Sequence, residues 1–245
     1  MSPRRLRADL LLVERGLFDS RAKAQAAIAA GLVTADGRPV RKASEEIAST
    51  AAITAEAPHP WVSRGGMKLA AALTAFSVRP GGRTCLDVGS STGGFTHVLL
   101  TEGAARVIAV DTGRDQFHAS LRGDPRVTLM EATDIRRLTP ADLPAMPDLA
   151  VIDVSFISLR LVLPAVTGLL APEAEFIALV KPQFEVGRGH VGKNGIVTDV
   201  AAREAAVAGV KAEAESLGWH IGGLVDSPIA GGDGNREFLI HGARP

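Results

Sequence analysis

The 245 residues, 46% hydrophobic and 22% charged, suffice for one large domain or a small one beside a medium one, and they exclude a disordered chain. A single cysteine, Cys85, excludes a disulfide framework and a multi-cysteine zinc site. No run of about 20 apolar residues would span a bilayer, and Arg4, Arg5 and Arg7 precede no signal-peptide core, so the expected compartment is the cytoplasm. The zero net charge is unevenly spread: residues 1–42 carry nine Lys and Arg against four acids, a net +5 that leaves −5 on the rest, and a basic head on an acidic body points to a polyanionic partner.

In chain order, Leu10, Leu11 and Val13 recur at helical spacing before Gly16, which suits a C-cap, and predict a first short helix over 7–16. Ser20 suits an N-cap for a second helix carrying Ala22, Ala26, Ile28 and Ala29 and ending at Gly31. Asp36-Gly37 between two apolar runs predicts a hairpin with a type I′ turn, completing an α-α-β-β unit. Pro58 and Pro60 forbid regular structure, so residues 1–57 read as a small domain, 58–62 as a linker and 63–245 as a second domain. There a helix from about Ser63, with Leu69, Leu73 and Phe76 on one face, stops before Pro80-Gly81-Gly82. Five apolar runs follow (RTCLDVG, ARVIAVD, RVTLMEA, DLAVIDVS and EFIALVKP), separated by helical or loop segments, the pattern of a doubly wound, mostly parallel α/β sheet. Thr198-Asp199 cap a later helix bearing Val200, Val207, Val210, Ala214 and Leu217, and WHIGGLVDS and REFLIHGA read as a terminal strand pair.

The ordered pattern from Arg7 to Gly37, R-x-D-x-L-L-V-x-x-G-L-x-x-S-R-x-x-A-x-x-x-I-x-x-G-x-V-x-x-x-G, resembles the S4 domain of ribosomal proteins and RNA-modifying enzymes. Arg21 and its basic neighbours stand near the N-terminus of the second helix, where cations and the helix dipole both favour phosphate. The candidate RNA contacts are Arg4, Arg7, Arg21, Lys23 and, in the second domain, Arg64; such contacts position RNA more than they read it.

LDVGSSTGGFT, residues 86–96, is a buried strand running into a glycine-rich turn and a helix. Its glycines, Gly89, Gly93 and Gly94, depart from the G-x-G-x-x-G of dinucleotide enzymes, and Asp87 lies within the strand. The spacing resembles motif I of Rossmann-like class I methyltransferases, which implies S-adenosylmethionine as cofactor, with Asp87 orienting the methionyl end and Ser91 in the turn around it. Asp111, ending the second strand, can accept hydrogen bonds from both ribose hydroxyls. The resemblance places Asp134, after the third strand, near the adenine.

Asp153 and Lys181 end the fourth and fifth strands, at the edge where such sheets bind ligands; Lys68 lies on the helix before the first strand and Glu237 in the last strand. This Lys, Asp, Lys, Glu order resembles the tetrad of FtsJ-type ribose 2′-O-methyltransferases. An alcohol must lose its proton to attack a methyl group, and Lys181 is the candidate base if desolvation and Lys68 lower its pKa, with Asp153 and Glu237 orienting the lysines and offsetting their charge. Cytosine C5 methylation would need a cysteine nucleophile, and Cys85 sits inside the first strand. Base amino-group methylation commonly uses N/D-P-P-Y/F, where this chain has Asp153-Val-Ser-Phe156; Phe156 is either a core aromatic or a stacking surface for a base. The loop VGRGHVGKNG, which could close over RNA or cofactor, holds His190 without a partner at metal-ligand spacing, so no metal is expected. The S4-like head, the W-V-S-R-G-G-x-K-L helix, the glycine turn, I-D-V-S-F-I-S-L and V-K-P-Q-F-E together resemble the TlyA family, and imply methylation of cytidine ribose in 16S and 23S ribosomal RNA. The family's Arg-x-Trp-Val linker reads His59-Pro60-Trp61-Val62 here. Rival readings are a catalytically silent RNA-binding factor and, following the family's old label, a membrane-active haemolysin; the chain shows no basic amphipathic lipid-facing helix.

Overall fold

The structure, a computed structural model, describes residues 4–57 and 59–244, so Pro58 of the expected linker lies outside the described residues. The chain divides into two compact units, Met1–Pro60 and Trp61–Pro245. In the first, the expected helices form as α1 (Ala8–Glu14) and α2 (Arg21–Ala29), and the hydroxyl of Ser20 accepts from the Lys23 N–H to cap the second. The hairpin joins β2 (Val33–Ala35) to β3 (Arg38–Pro39) through Asp36 and Gly37, whose φ of 50° and 73° are those of a type I′ turn. Three further strands went unread: β1 (Arg5–Arg7) pairs with β4 (Glu46–Ala48), and β5 (Ile53–Ala55) pairs with β2, both antiparallel. Each spans three residues, too few for an alternating pattern to stand out. Leu11, Leu12, Ile28 and Val33 are the buried centre of this unit.

The second unit opens with α3 (Gly65–Phe76) and alternates β6 (Thr84–Val88), α4 (Gly94–Thr101), β7 (Arg106–Val110), α5 (Ala119–Arg122) and β8 (Val127–Met130). It continues through β9 (Leu149–Ile152), α6 (Leu159–Leu169), β10 (Glu175–Val180), α7 (Pro182–Glu185), α8 (Val200–Ser216), β11 (His220–Asp226) and β12 (Phe238–Ala243). The seven strands form one sheet in the order β11-β12-β10-β9-β6-β7-β8. Strand β12 is antiparallel to both neighbours and the remaining pairs are parallel, as in class I methyltransferases. The chain runs outward from β6 to β7 and β8, then returns to place β9 on the other side of β6; this reversal opens a crevice at the carboxyl ends of the strands.

Strand alternation decides which face each site residue meets. Leu86, Val88, Ile152 and Val180 pack with Leu159, Leu163 and Val210 of α6 and α8 on one face. Cys85, Val151, Leu179 and Leu239 pack with Leu69 of α3 and Val98 of α4 on the other. Asp87, Asp153, Lys181 and Glu237 share the parity of this second set, two residues on from Cys85, Val151 and Leu179 and two before Leu239. All four therefore stand toward the α3 and α4 face, the face on which Lys68 of α3 lies.

Candidate active site

Tight backbone contacts build the turn after β6. Gly89 has φ +84°, and a Cβ there would collide with the Asp153 carbonyl oxygen; the chain passes so close because Gly89 and Asp153 leave neighbouring strands at the same level. At the start of α4 a Cβ on Gly94 would collide with the Ser63 hydroxyl, so the helix start takes the Ser63 side chain of the segment entering α3 against it and has no room for one of its own. Val62 N–H donates to His97 Nδ1 of α4 at 3.1 Å, and the Trp61 ring meets His97 edge-on, with centroids 5.6 Å apart. Trp61-Val62 is thereby seated on the helix that follows the glycine turn.

Asp87 is fully buried, and Oδ2 accepts from the Thr96 hydroxyl at 2.6 Å. Burial, reinforced by the carboxylates of Asp153 and Asp111, pushes it up to about 7 against the pull of that hydrogen bond. Among the described residues, Asp87 Oδ1 and Ser90 Oγ are buried without a hydrogen-bond partner. These orphaned groups suit a ligand that brings an ammonium and a polar end to the turn, as the methionyl part of S-adenosylmethionine would. Asp111 Oδ2 accepts from Ser91 N–H at 2.7 Å and Oδ1 from Gly113 N–H at 2.6 Å, which aims the carboxylate and leaves lone pairs for hydroxyl donors. Asp134 caps the 3₁₀ turn after β8 and pairs with Arg136 at 2.6 Å, so the guanidinium holds its carboxyl below the usual range.

A cleft of about 910 Å³ lies against these strand ends, bordered by Gly89, Ser91, Asp111, Asp134, Asp153 and Phe156. Its size suits a nucleoside-bearing cofactor. Asp87, Gly93, Gly94, Lys68, Lys181 and Glu237 are not among the residues that border it. The expected tetrad comes together as two ion pairs. Lys181 Nζ lies 2.6 Å from Asp153 Oδ1 and donates to Ser155 Oγ at 2.8 Å. Lys68 Nζ lies 2.5 Å from Glu237 Oε2, with Lys68 8% and Glu237 3% exposed. Because Val180 pairs with Phe238, Glu237 falls opposite Lys181, and the two pairs become neighbours across β10 and β12. Each lysine has its own carboxylate, Asp153 beside Lys181 and Glu237 beside Lys68.

The candidate RNA contacts are partly engaged within their own unit. Asp9, fully buried, takes Arg7 at 3.0 Å, Arg21 at 2.9 Å and Gln25 at 2.8 Å, and the Arg7 guanidinium above all holds its carboxyl far below the usual range. Arg7 and Arg21 remain about half exposed, so they organise the fold while presenting charge. Lys23 pairs with Asp19 at 2.8 Å, and Arg4 and Arg64 are exposed. Cys85 is buried, and burial pushes its thiol up to about 12, which leaves it an inert core residue. Sequence reasoning missed Thr96, Ser155 and Phe184. Thr96 sits inside the G-G-F-T signature and was open to notice, whereas Ser155 and Phe184 are drawn in only by the pairing of β9 with β10.

Sheet order and acidic strand ends define a class I methyltransferase fold, and the family model described as FtsJ-like methyltransferase matches residues 61–244, with the S4 domain model matching 6–52. The chain is 48% identical to the Mycobacterium tuberculosis 16S/23S rRNA (cytidine-2′-O)-methyltransferase TlyA over 239 residues, 97% of this chain and 89% of that one. It is 37% identical to the Brachyspira hyodysenteriae protein named hemolysin A, covering 96% of this chain and 99% of that one. A solved structure from Streptococcus thermophilus, described as a hemolysin, superposes with a TM-score of 0.78 at 42% identity over 100% of this chain and 90% of that one. The chain belongs to the TlyA family of methyltransferases, an S4 domain followed by an FtsJ-like catalytic domain. Among the described residues no helix is long and apolar enough to cross a membrane.

Proposed function

We propose that the protein methylates the 2′-hydroxyl of a cytidine ribose in 16S ribosomal RNA, 23S ribosomal RNA or both, using S-adenosylmethionine, in the cytoplasm. The observation that carries this reading is the Lys181–Asp153 ion pair at 2.6 Å on the carboxyl edge of the sheet, with Asp153 bordering the cleft and the buried Lys68–Glu237 pair beside it. The cofactor would supply a methyl group activated by its sulfonium. Asp87 and the glycine turn would hold its methionyl end, Asp111 its ribose, and the surroundings of Asp134 its adenine.

Lys181 takes the proton of the target hydroxyl. Only an amine lone pair can accept that proton, so the step requires Lys181 to have given up one of its own; Ser155 Oγ, which accepts from Nζ, fixes its direction, and the Asp153 carboxylate lies 2.6 Å away. Lys68 and Glu237 neutralise one another beside Lys181 and tie α3 to the start of β12. Phe156, 92% exposed at the cleft border, offers its ring for stacking on a base of the bound RNA. Residues 1–57 bind RNA, 58–62 link the two functions and 63–245 catalyse; residues 1–57 carry a net +2, concentrated as +5 in residues 1–42, which supports the first assignment.

The test incubates separate unmethylated 30S and 50S subunits with labelled cofactor and maps alkali-resistant linkages, since a 2′-O-methyl group blocks hydrolysis at its own position. A label on a base, or no transfer to either subunit, overturns the reading.

A further inference from the structure

Phe156 is an unusual residue to find where it is. Its φ is +65°, in the left-handed region that bulky residues avoid, and its side chain is 92% exposed, so no burial of the ring holds the backbone there. A strained, solvent-facing aromatic persists only when its surroundings over-determine it. Its ring has one aromatic neighbour among the described residues, Phe184 of α7, tilted at 52° with centroids 5.3 Å apart.

The constraint comes from Glu185, which follows Phe184. Its side chain is 2% exposed, and both carboxylate oxygens are used on the segment just beyond Phe156: Oε2 accepts from the Ser158 hydroxyl at 2.5 Å, and Oε1 from Leu159 N–H at 2.7 Å. Arg160 Nε stands 3.6 Å from Oε2, and the Glu185 carbonyl accepts from the same guanidinium at 3.2 Å. Ser158 is also the N-cap of α6, its oxygen accepting from Arg160 N–H at 3.2 Å. The segment from Asp153 to Arg160 and the segment from Lys181 to Glu185 are thus tied at both ends. Lys181 joins Asp153 and Ser155 at one end; Glu185 joins Ser158, Leu159 and Arg160 at the other. Phe156 lies between the two ties.

We infer that Glu185 is a positioning residue for RNA: by clamping the start of α6 to α7 it holds the 154–158 turn in its strained form and so presents Phe156 to the substrate. The inference rests on the proposed methylation of ribosomal RNA. A carboxylate fits the task because the three donors it meets, a hydroxyl, a backbone N–H at a helix start and a guanidinium, all favour negative charge. A glutamine has one acceptor oxygen and keeps only part of the set.

The experiment is a double-mutant cycle on the full chain with ribosomal subunits as substrate. Wild type, Glu185→Gln, Phe156→Ala and the double variant are compared for KM toward RNA, kcat, and the affinity for S-adenosylhomocysteine by calorimetry. Expected are a several-fold higher RNA KM in Glu185→Gln, a larger rise in Phe156→Ala, and less than a twofold further change when Glu185→Gln is added to Phe156→Ala, with S-adenosylhomocysteine affinity within twofold throughout. Ser158→Ala, which removes one donor and leaves the carboxylate, should reproduce part of the effect if Glu185→Gln is poorly folded. Independent, multiplying effects of the two substitutions would overturn the inference, as would a parallel loss of S-adenosylhomocysteine affinity. Failure of the wild type to methylate either subunit would instead remove the functional reading on which it stands.

Discussion

Lys181 and Lys68 are the same residue type on the same face of the sheet, yet their surroundings separate them. Lys68 is sealed against Glu237, while Lys181 meets Asp153 at the border of the cleft. Replacing Lys181 with Ala should lower single-turnover methyl transfer by about 10²- to 10⁴-fold, the usual share of a general base, with cofactor affinity measured by calorimetry little changed. Unchanged turnover would remove Lys181 from the role of base. Asp87 gives a second prediction with a definite sign. Its carboxyl titrates near 7 in the folded chain, well above an ordinary aspartate, so between these values the folded state keeps a proton that the unfolded state has released. Its contribution to stability is therefore full at acid pH and falls as pH rises toward neutrality. Asp87→Asn, neutral throughout, should gain on the wild type by about 2 kcal/mol between about pH 5 and pH 7, read from urea unfolding without cofactor. A difference that does not change with pH would refute the assignment.

Among the elements, the turn between β6 and α4 carries the most constraint. Gly89 combines φ +84° with a collision between any Cβ and the Asp153 carbonyl. Gly89→Ala should cost about 2 to 4 kcal/mol in unfolding experiments, from left-handed strain and overpacking together, and should displace the Asp153 backbone beside Lys181. Gly234, with φ +86° and open space around it, offers the comparison: alanine there meets backbone strain alone and should cost less. Equal losses at both positions would mean that the contact with Asp153 is unimportant.

At the scale of the whole molecule, charge is divided between the units, and RNA affinity should fall linearly in log K against log salt. Arg4, exposed on the basic unit, should lower the slope by about 0.7 to 0.9 when replaced with Ala, leaving thermal stability unchanged. Arg21→Ala should weaken RNA binding and also lower the melting temperature, because the buried Asp9 loses one of its partners. A drop in binding without a drop in melting temperature would assign Arg21 to RNA alone.

The apolar runs of the five parallel strands, the caps at Ser20 and Asp199, the Asp36-Gly37 turn and the glycine signature after Leu86 were all legible in the amino-acid order, because each depends on residues a few positions apart. So were Asp111, Asp153 and Lys181, since a charged residue ending a buried strand stands out from its neighbours. The pairing of those charges was not legible. That Lys68 closes on Glu237, 169 residues away, that Arg7 and Arg21 turn inward to Asp9, and that Glu185 ties α7 to the start of α6 are settled by strand order, register and side-chain reach. The periods, the turns and the charged strand ends are local properties and follow directly from the order of residues. Which carboxylate answers which cation emerges only once the chain is packed, because an ion pair is selected by distance in space and by exclusion of water, and neither is written along the chain.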